Sequence, residues 1–234
     1  TYMYESSGGA GRQAEVGLAG ALVVKSLTPG RAYDSSTTAY DKQAYMVLSE
    51  ITPALNQAAA STCGGQSCLG SFDFYDYDSD PRFSKFQPTY RLINGKAYPQ
   101  IPSIGAAAGD KVLLRYVNAG SEHAVMTMLG LNGTVVGRDG ALLETPFGVT
   151  AETIPAGSTL DVIVKVPSGA QVGDTLCVMD QDANRQGCTT VQERGNQEIV
   201  LVALADGWRP QVTVSPVNTT TIAITLTGVP SGLN

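Results

Sequence analysis

Short strand-like segments separated by turn residues recur along most of the chain, and they limit what it can fold into. Each segment is apolar or alternates apolar with polar residues, and no stretch keeps a helical period beyond about ten residues. Segments at this spacing predict an all-β antiparallel sandwich or barrel. They span residues 1–5, 17–24, 45–51, 90–95, 111–118, 124–131, 134–137, 160–166, 174–179, 198–204, 211–215 and 220–225.

Composition excludes several classes of function. The net charge of −6 argues against nucleic acid, since a protein that binds phosphates needs a basic face. No run approaches the 18 or so apolar residues of a transmembrane helix, so no transmembrane segment is predicted. His123 is the single histidine of the 234 residues, so this chain alone cannot build a histidine-rich copper, zinc or di-iron centre.

The four cysteines form two local pairs. Cys63 and Cys68 enclose GGQS, and Cys177 and Cys188 enclose DQDANRQG. Even pairs around turn residues predict the disulfides Cys63–Cys68 and Cys177–Cys188, and with them a secreted, periplasmic or cell-surface protein. The alternative is four reduced thiols in a cytosolic protein. The chain begins at Thr1 without a signal-peptide pattern, which we interpret as a processed chain or a fragment.

The periodicity is lost over residues 52–84, and this marks a boundary. These residues hold an alanine-rich piece, the first cysteine loop and an acidic aromatic stretch, so we interpret them as a linker between packed units at 1–51 and 85–204. Residues 205–234 predict a C-terminal β-hairpin or the start of a further domain. Because a two-stranded hairpin is marginal alone, it must dock on this domain, pair with another chain or begin another domain.

Asparagine-glycine pairs and an acidic run give local predictions. Asn94-Gly95 predicts a hairpin turn, and we interpret Asn132-Gly133 as a turn rather than a glycosylation site; Asn218 begins a second such sequon. The alternating aspartates of residues 73–80 predict a solvated loop whose aromatic neighbours dock nearby. A calcium loop is the alternative, although the glycine and closing glutamate of an EF-hand are absent.

Several motifs, in order, resemble the multicopper oxidase family and within it the bacterial type 3 proteins. That resemblance implies Greek-key, cupredoxin-like β-sandwich domains, with residues 1–51 as the closing strands of a first domain and 85–204 as a complete second one. The motifs are TYMYES (1–6), GLAGALVV (17–24), YDKQAYMVLSEITP (40–53), YRLINGKAYP (90–99), GDKVLLRYVNAG (109–120), DG (139–140) and AETIPAG (151–157).

The resemblance implies copper ligands that this chain lacks. The first-domain His-x-His pair would lie near Glu5, where the sequence is YESS. Residues 118–123 (NAGSEH) resemble the blue-copper pattern ending in His123, and Cys177 stands in the place matching the thiolate ligand. Asp180 and Arg185 then stand where the family has histidine and methionine. A blue-copper site needs two imidazoles and a thiolate, and a disulfide would remove the thiolate. We therefore expect no metal, with His123 and Cys177 as residual type-1-like positions.

Two functional hypotheses follow, and neither assigns catalytic residues. In the first, the chain is an exported, copper-free structural or interaction component of an extracellular assembly, with a protein partner or self-assembly and no cofactor. In the second, it is part of a working multicopper oxidase, which moves electrons from substrate to oxygen, and the copper ligands lie outside this chain.

Overall fold

Strands make up most of the computed structural model, which describes residues 1–7, 12–67, 88–97, 100–101, 103–170, 175–180, 197–201, 211–218 and 221–227. The helices are α1 (Arg12–Glu15) and α2 (Pro53–Ala60), with a 3₁₀ turn at Ser36–Thr38. The strands are β1 (Tyr2–Glu5), β2 (Ala19–Leu22), β3 (Lys42–Ile51), β4 (Thr62–Cys63), β5 (Gln66–Ser67), β6 (Tyr90–Ile93), β7 (Ile104–Ala106), β8 (Lys111–Asn118), β9 (Ala124–Leu129), β10 (Asn132–Arg138), β11 (Ala141–Val149), β12 (Ala151–Ile154), β13 (Thr159–Lys165), β14 (Thr175–Asp180), β15 (Gln197–Leu201), β16 (Gln211–Asn218) and β17 (Thr221–Thr227).

Two sheets form a sandwich. One has six strands in the order β11-β10-β13-β8-β3-β6, and the other has five in the order β12-β9-β14-β15-β7. The pairs β3–β8 and β15–β7 are parallel, and the other pairs within these two sheets are antiparallel. The predicted all-β sandwich is confirmed. No helix in the described part of the chain is long and apolar enough to cross a bilayer.

Alternation along β8 shows how the sequence fills both faces of the six-stranded sheet. Val112, Leu114 and Tyr116 point into the main core, which also takes side chains from the second sheet. Leu113 belongs to a smaller cluster on the opposite face, where Arg115 is also buried. Because successive strand side chains alternate, a strand buried on both faces reads as a nearly continuous apolar run.

The position of β3 differs from the predicted domain boundary. The sequence pattern groups residues 42–51 with a preceding unit, but β3 lies between β8 and β6 in the six-stranded sheet. Met46 and Leu48 on this strand are fully buried in the main core. Residues 53–60 of the predicted linker form α2, which begins with Pro53 at its first turn, where proline is favoured. The sheet therefore joins residues from both sides of residue 52.

Asn94 and Gly95 form the tight turn that the sequence predicts. Both have positive φ, 54° and 73°, and Ile93 and Lys96 exchange backbone hydrogen bonds of 3.0 and 3.1 Å. Two successive residues with positive φ are the signature of a type I′ turn. The Asn94 side chain also accepts from Val47 N at 3.0 Å and donates to the Tyr45 carbonyl at 2.7 Å, so it ties the turn to β3.

The prediction of a turn at Asn132-Gly133 is wrong. Both residues lie inside β10, opposite Lys165 and Val164, and the positive φ falls earlier, at Gly130. Packing explains the glycine, because a Cβ at Gly133 would lie 2.6 Å from Met128 Sδ and 2.8 Å from a Val162 methyl.

Thr1 and the residues around Tyr33 form a segment that covers part of the outer face of the six-stranded sheet. Its Tyr33 Oη donates to Asp161 Oδ2 at 2.6 Å, and Thr1 Oγ1 donates to Asp161 Oδ1 at 2.6 Å. Arg115 Nη1, from the neighbouring strand, lies 3.4 Å from Asp161 Oδ2. Asp161 and Arg115 are almost fully buried, so their charges compensate each other beneath the segment. Gly137 makes room for the Tyr33 ring.

The C-terminal strands β16 and β17 pair with each other in antiparallel fashion, as the sequence predicts. Several predicted features lie outside the described residues: the acidic run at residues 73–80, Cys68, Arg185 and Cys188.

Candidate functional site

The buried side chain of Asn118, the last residue of β8, fixes the shape of the loop at residues 118–123. Asn118 Nδ2 donates to the carbonyls of Glu122 and Ile154 at 2.8 and 2.9 Å. Its Oδ1 accepts from Gly120 N at 3.2 Å. Because Asn118 has its donors and its acceptor engaged without solvent, the loop has a defined shape. His123, at the end of the loop, is exposed.

Glu50, near the end of β3, lies against this loop. A Cβ at Gly120 would overlap its carboxylate, so glycine is required for this approach. Glu50 Oε2 accepts from Ser121 N at 3.0 Å. Glu50 is directly opposite Arg91 of β6, and Arg91 Nη2 forms an ion pair with Glu122 Oε2. The loop is therefore held by charged side chains from two adjacent strands.

Glu15 of α1 approaches the same loop from the N-terminal side, where α1 lies against β3. Its Oε1 accepts a hydrogen bond from Ser121 Oγ. The pKa of Glu15 is raised to about 7: burial is the largest cause, the charges of Glu50, Glu5 and Glu122 act in the same direction, and the Ser121 hydrogen bond opposes them. A carboxyl group with this pKa changes charge near neutral pH.

The structure does not bring His123 and Cys177 together. Cys177 lies within β14, opposite Leu129 of β9. His123 precedes the first residue of β9, six positions from Leu129, so about 20 Å of strand separates the two. Cys177 is also disulfide-bonded, and a disulfide sulfur is not a thiolate ligand. Its predicted pairing with Cys188 stays a prediction.

Asp180, the last residue of β14, lies three strand positions closer to the level of His123 than Cys177 does. It is buried opposite Met126, and its Oδ1 accepts from Val125 N at 3.0 Å. Its partner Met126 is three residues after His123, so about 10 Å of strand separates the level of this carboxylate from the histidine. One of its oxygens accepts a hydrogen bond from the β9 backbone, and a carboxylate is a hard ligand that suits copper poorly.

The residues present do not fit a blue-copper centre. The whole chain has one imidazole where two are needed, and the cysteine near the expected position is oxidised. Glu5, near which the resemblance implies the first-domain histidines, is exposed at the end of β1. Within the described ranges no group of three or more histidine, cysteine, aspartate or glutamate side chains is placed to hold a metal ion.

No family model matches the chain, and no curated protein does. Solved structures do. A blue copper oxidase from Nitrosomonas europaea superposes with a TM-score of 0.60 at 18% identity over 85% of this chain. The multicopper oxidase mgLAC gives 0.61 at 17% over 88%, and a copper-containing nitrite reductase from Thermus scotoductus SA-01 gives 0.59 at 14% over 86%. The fold is that of the multicopper oxidases. The chain spans 55%, 57% and 40% of those three structures.

The sequence patterns did not predict the cluster of charged side chains around the loop at residues 118–123. The cluster consists of Glu15, Glu50, Arg91 and Glu122, and its members come from four parts of the chain. A signal was present in Glu50 and Arg91, because each is a charged residue within an otherwise apolar strand pattern. Opposite charges in two such strands suggest a cross-strand pair, but the register that places them together is a tertiary property.

Proposed function

We propose that this chain is a copper-free cupredoxin-fold protein that acts through its surfaces, as an exported structural or interaction component of an extracellular assembly. The β9–β14 register supports this most directly, because about 20 Å of strand lies between His123 and the level of Cys177. The disulfide at Cys177 supports export, since such bonds persist in oxidising compartments.

The exposed apolar side chains of the N-terminal region support a role in interaction. Leu27 is 93% exposed, Val24 63%, Tyr4 60%, Leu18 57% and Leu22 56%. Tyr4 and Leu22 belong to the two-stranded sheet of β1 and β2, and so small a sheet is marginal without neighbours. Apolar side chains concentrated in one region are typical of sites that bind another protein. A protein partner or a second copy of the chain is expected there.

Copper content tests the proposal. The purified, natively exported protein is incubated with excess Cu²⁺, dialysed, and analysed by mass spectrometry of its metals and by visible absorption. We expect copper well below one ion per chain and no intense blue charge-transfer band. His123→Ala serves as the matched control, because it is exposed and its removal is expected to change neither stability nor residual copper. Stoichiometric copper lost in His123→Ala would refute the proposal.

A second candidate is a segment of a working multicopper oxidase whose ligands come from other segments. The observation in its favour is length, because the chain spans only 55% and 57% of the two oxidase structures reported above. The natural assembly, isolated intact, would then contain copper and oxidise a phenolic reductant with consumption of oxygen. A copper-free, inactive natural assembly would refute this candidate and favour the first.

A further inference from the structure

The hydrogen bond between Glu15 and Ser121 links two parts of the fold. Glu15 is the last residue of α1, which lies between β1 and β2 in the chain. We call β1, α1 and β2 together the N-terminal unit. Ser121 belongs to the loop at residues 118–123 of the sandwich. The backbone N–H of Ser121 also donates to Glu50. This second hydrogen bond fixes the position of Ser121, and with it the hydroxyl that donates to Glu15.

Negative charge surrounds this hydrogen bond on several sides. Glu5 faces Glu15 from β1, Glu50 from β3, and Glu122 from the loop. Arg91 of β6, which lies opposite Glu50, is the positive charge of the cluster and forms an ion pair with Glu122. An ionised Glu15 would add a further negative charge to a half-buried site, whereas a protonated Glu15 would not.

We propose that Glu15 is a proton-dependent clasp: in its neutral form it holds the N-terminal unit against the sandwich loop, and in its ionised form it loosens that contact. This inference does not depend on whether the chain binds copper. The region that the clasp controls carries the exposed apolar residues of β1 and β2, so a loosened clasp would change how they are presented to a partner.

The sign of the pH dependence follows from linkage. The pKa of Glu15 is raised to about 7 in the closed state from an ordinary value of 4.5, so the closed state binds the proton more tightly. The contribution of the proton to closure is therefore complete below about pH 4.5, falls as pH rises and is lost above about pH 7. If closure depends fully on the proton of Glu15, protection falls about tenfold per pH unit in this window. Because the Glu15 side chain is partly exposed, we expect a fall of about three- to tenfold per unit.

Hydrogen exchange of the full-length chain tests the clasp. Protection of the β1 and β2 amides, corrected for intrinsic exchange rates, is measured from about pH 5 to pH 8 with the β8 amides as an internal reference. We expect protection of β1 and β2 to fall about three- to tenfold per unit up to about pH 7 and then level off, while β8 stays constant. A pH-independent profile for β1 and β2, or a fall shared equally by β8, would overturn the proposal.

Three variants separate a proton-dependent clasp from an ordinary packing contact. Glu15→Gln, which remains neutral, should give protection that no longer depends on pH, whereas Glu144→Gln, at an exposed position of β11, should match the wild type. Ser121→Ala removes a hydrogen bond that lowers the pKa of Glu15, so the levelling point should move to higher pH. Glu5→Gln removes a repelling charge at an exposed site and should move it to lower pH. Retention of the wild-type profile in Glu15→Gln, or shifts opposite to these, would overturn the clasp.

Discussion

Gly137 of β10 is expected to be one of the least replaceable residues on the outer face of the six-stranded sheet. A Cβ there would lie 2.6 Å from Tyr33 Cζ and 2.7 Å from Cε2, and closer still to the hydroxyl oxygen. Relieving the overlap must move the ring, and with it the hydroxyl that donates to Asp161 at 2.6 Å. Overpacking costs about 1–3 kcal/mol, and losing a hydrogen bond to a buried carboxylate costs about 1.5–3 kcal/mol.

Against this cost, alanine in a strand gains about 0.5–1 kcal/mol over glycine. Gly137→Ala should therefore lower the free energy of unfolding by about 2–4 kcal/mol, and Tm by about 5–15 °C for a chain of this size. Urea denaturation followed by circular dichroism, together with calorimetry, measures both quantities. Gly148→Ala in β11 is the matched control, because a Cβ there meets nothing closer than the Gly133 carbonyl at 4.0 Å.

A double-mutant cycle identifies the cause of the loss. In a Tyr33→Ala background the ring is absent, so Gly137→Ala should be nearly neutral, giving a coupling of about 2 kcal/mol or more. The reasoning is refuted if Gly137→Ala costs the same with and without the Tyr33 ring, or if it is tolerated as well as Gly148→Ala.

Two further substitutions test the buried charge and the tight turn. Asp161→Asn leaves Arg115 buried without its counter-charge and should cost about 3–5 kcal/mol in urea denaturation; a loss below about 1 kcal/mol would show that the pair is not compensating. Asn94→Ala should cost about 1–3 kcal/mol, because it places alanine at φ 54° and removes the bonds to Val47 and Tyr45. Asn94→Gly keeps the backbone conformation and should cost less; equal thermal shifts for the two variants would show that backbone strain contributes nothing.

The sequence was sufficient where local chemistry determines local structure. The apolar run at residues 111–118 is β8 to the residue, and Asn94-Gly95 turns as its composition predicts. The same dipeptide at Asn132-Gly133 failed as a turn, because there the glycine serves packing against Met128 rather than backbone conformation. A dipeptide does not distinguish these two uses of glycine, since the second depends on what lies across the sheet.

The candidate site was less predictable than the fold. The pattern ending in His123 marked the correct loop, but Cys177 is displaced from it by the antiparallel register of β9 and β14. A shift of three residues along a strand, from Cys177 to Asp180, is about 10 Å. A ligand pattern read from the sequence does not distinguish two positions three residues apart, because the length of the loop before the strand is not known from the sequence. The convergence of Glu15 and Glu50 on Ser121 depends on how α1 packs, which no local pattern contains.

The parallel pairing of β3 with β8 also determines the order in which the protein can fold during synthesis. Asp41 accepts a hydrogen bond from Lys111, 70 positions later, and β3 continues from there beside β8. Until those later residues leave the ribosome, β3 can pair with β6 but not with β8, so the main core around Met46 and Leu48 is incomplete. Contacts between such distant residues slow folding and prolong the exposure of apolar strands. We therefore expect the nascent chain to depend on chaperones until at least β13 has emerged, and to be most prone to aggregation in that interval.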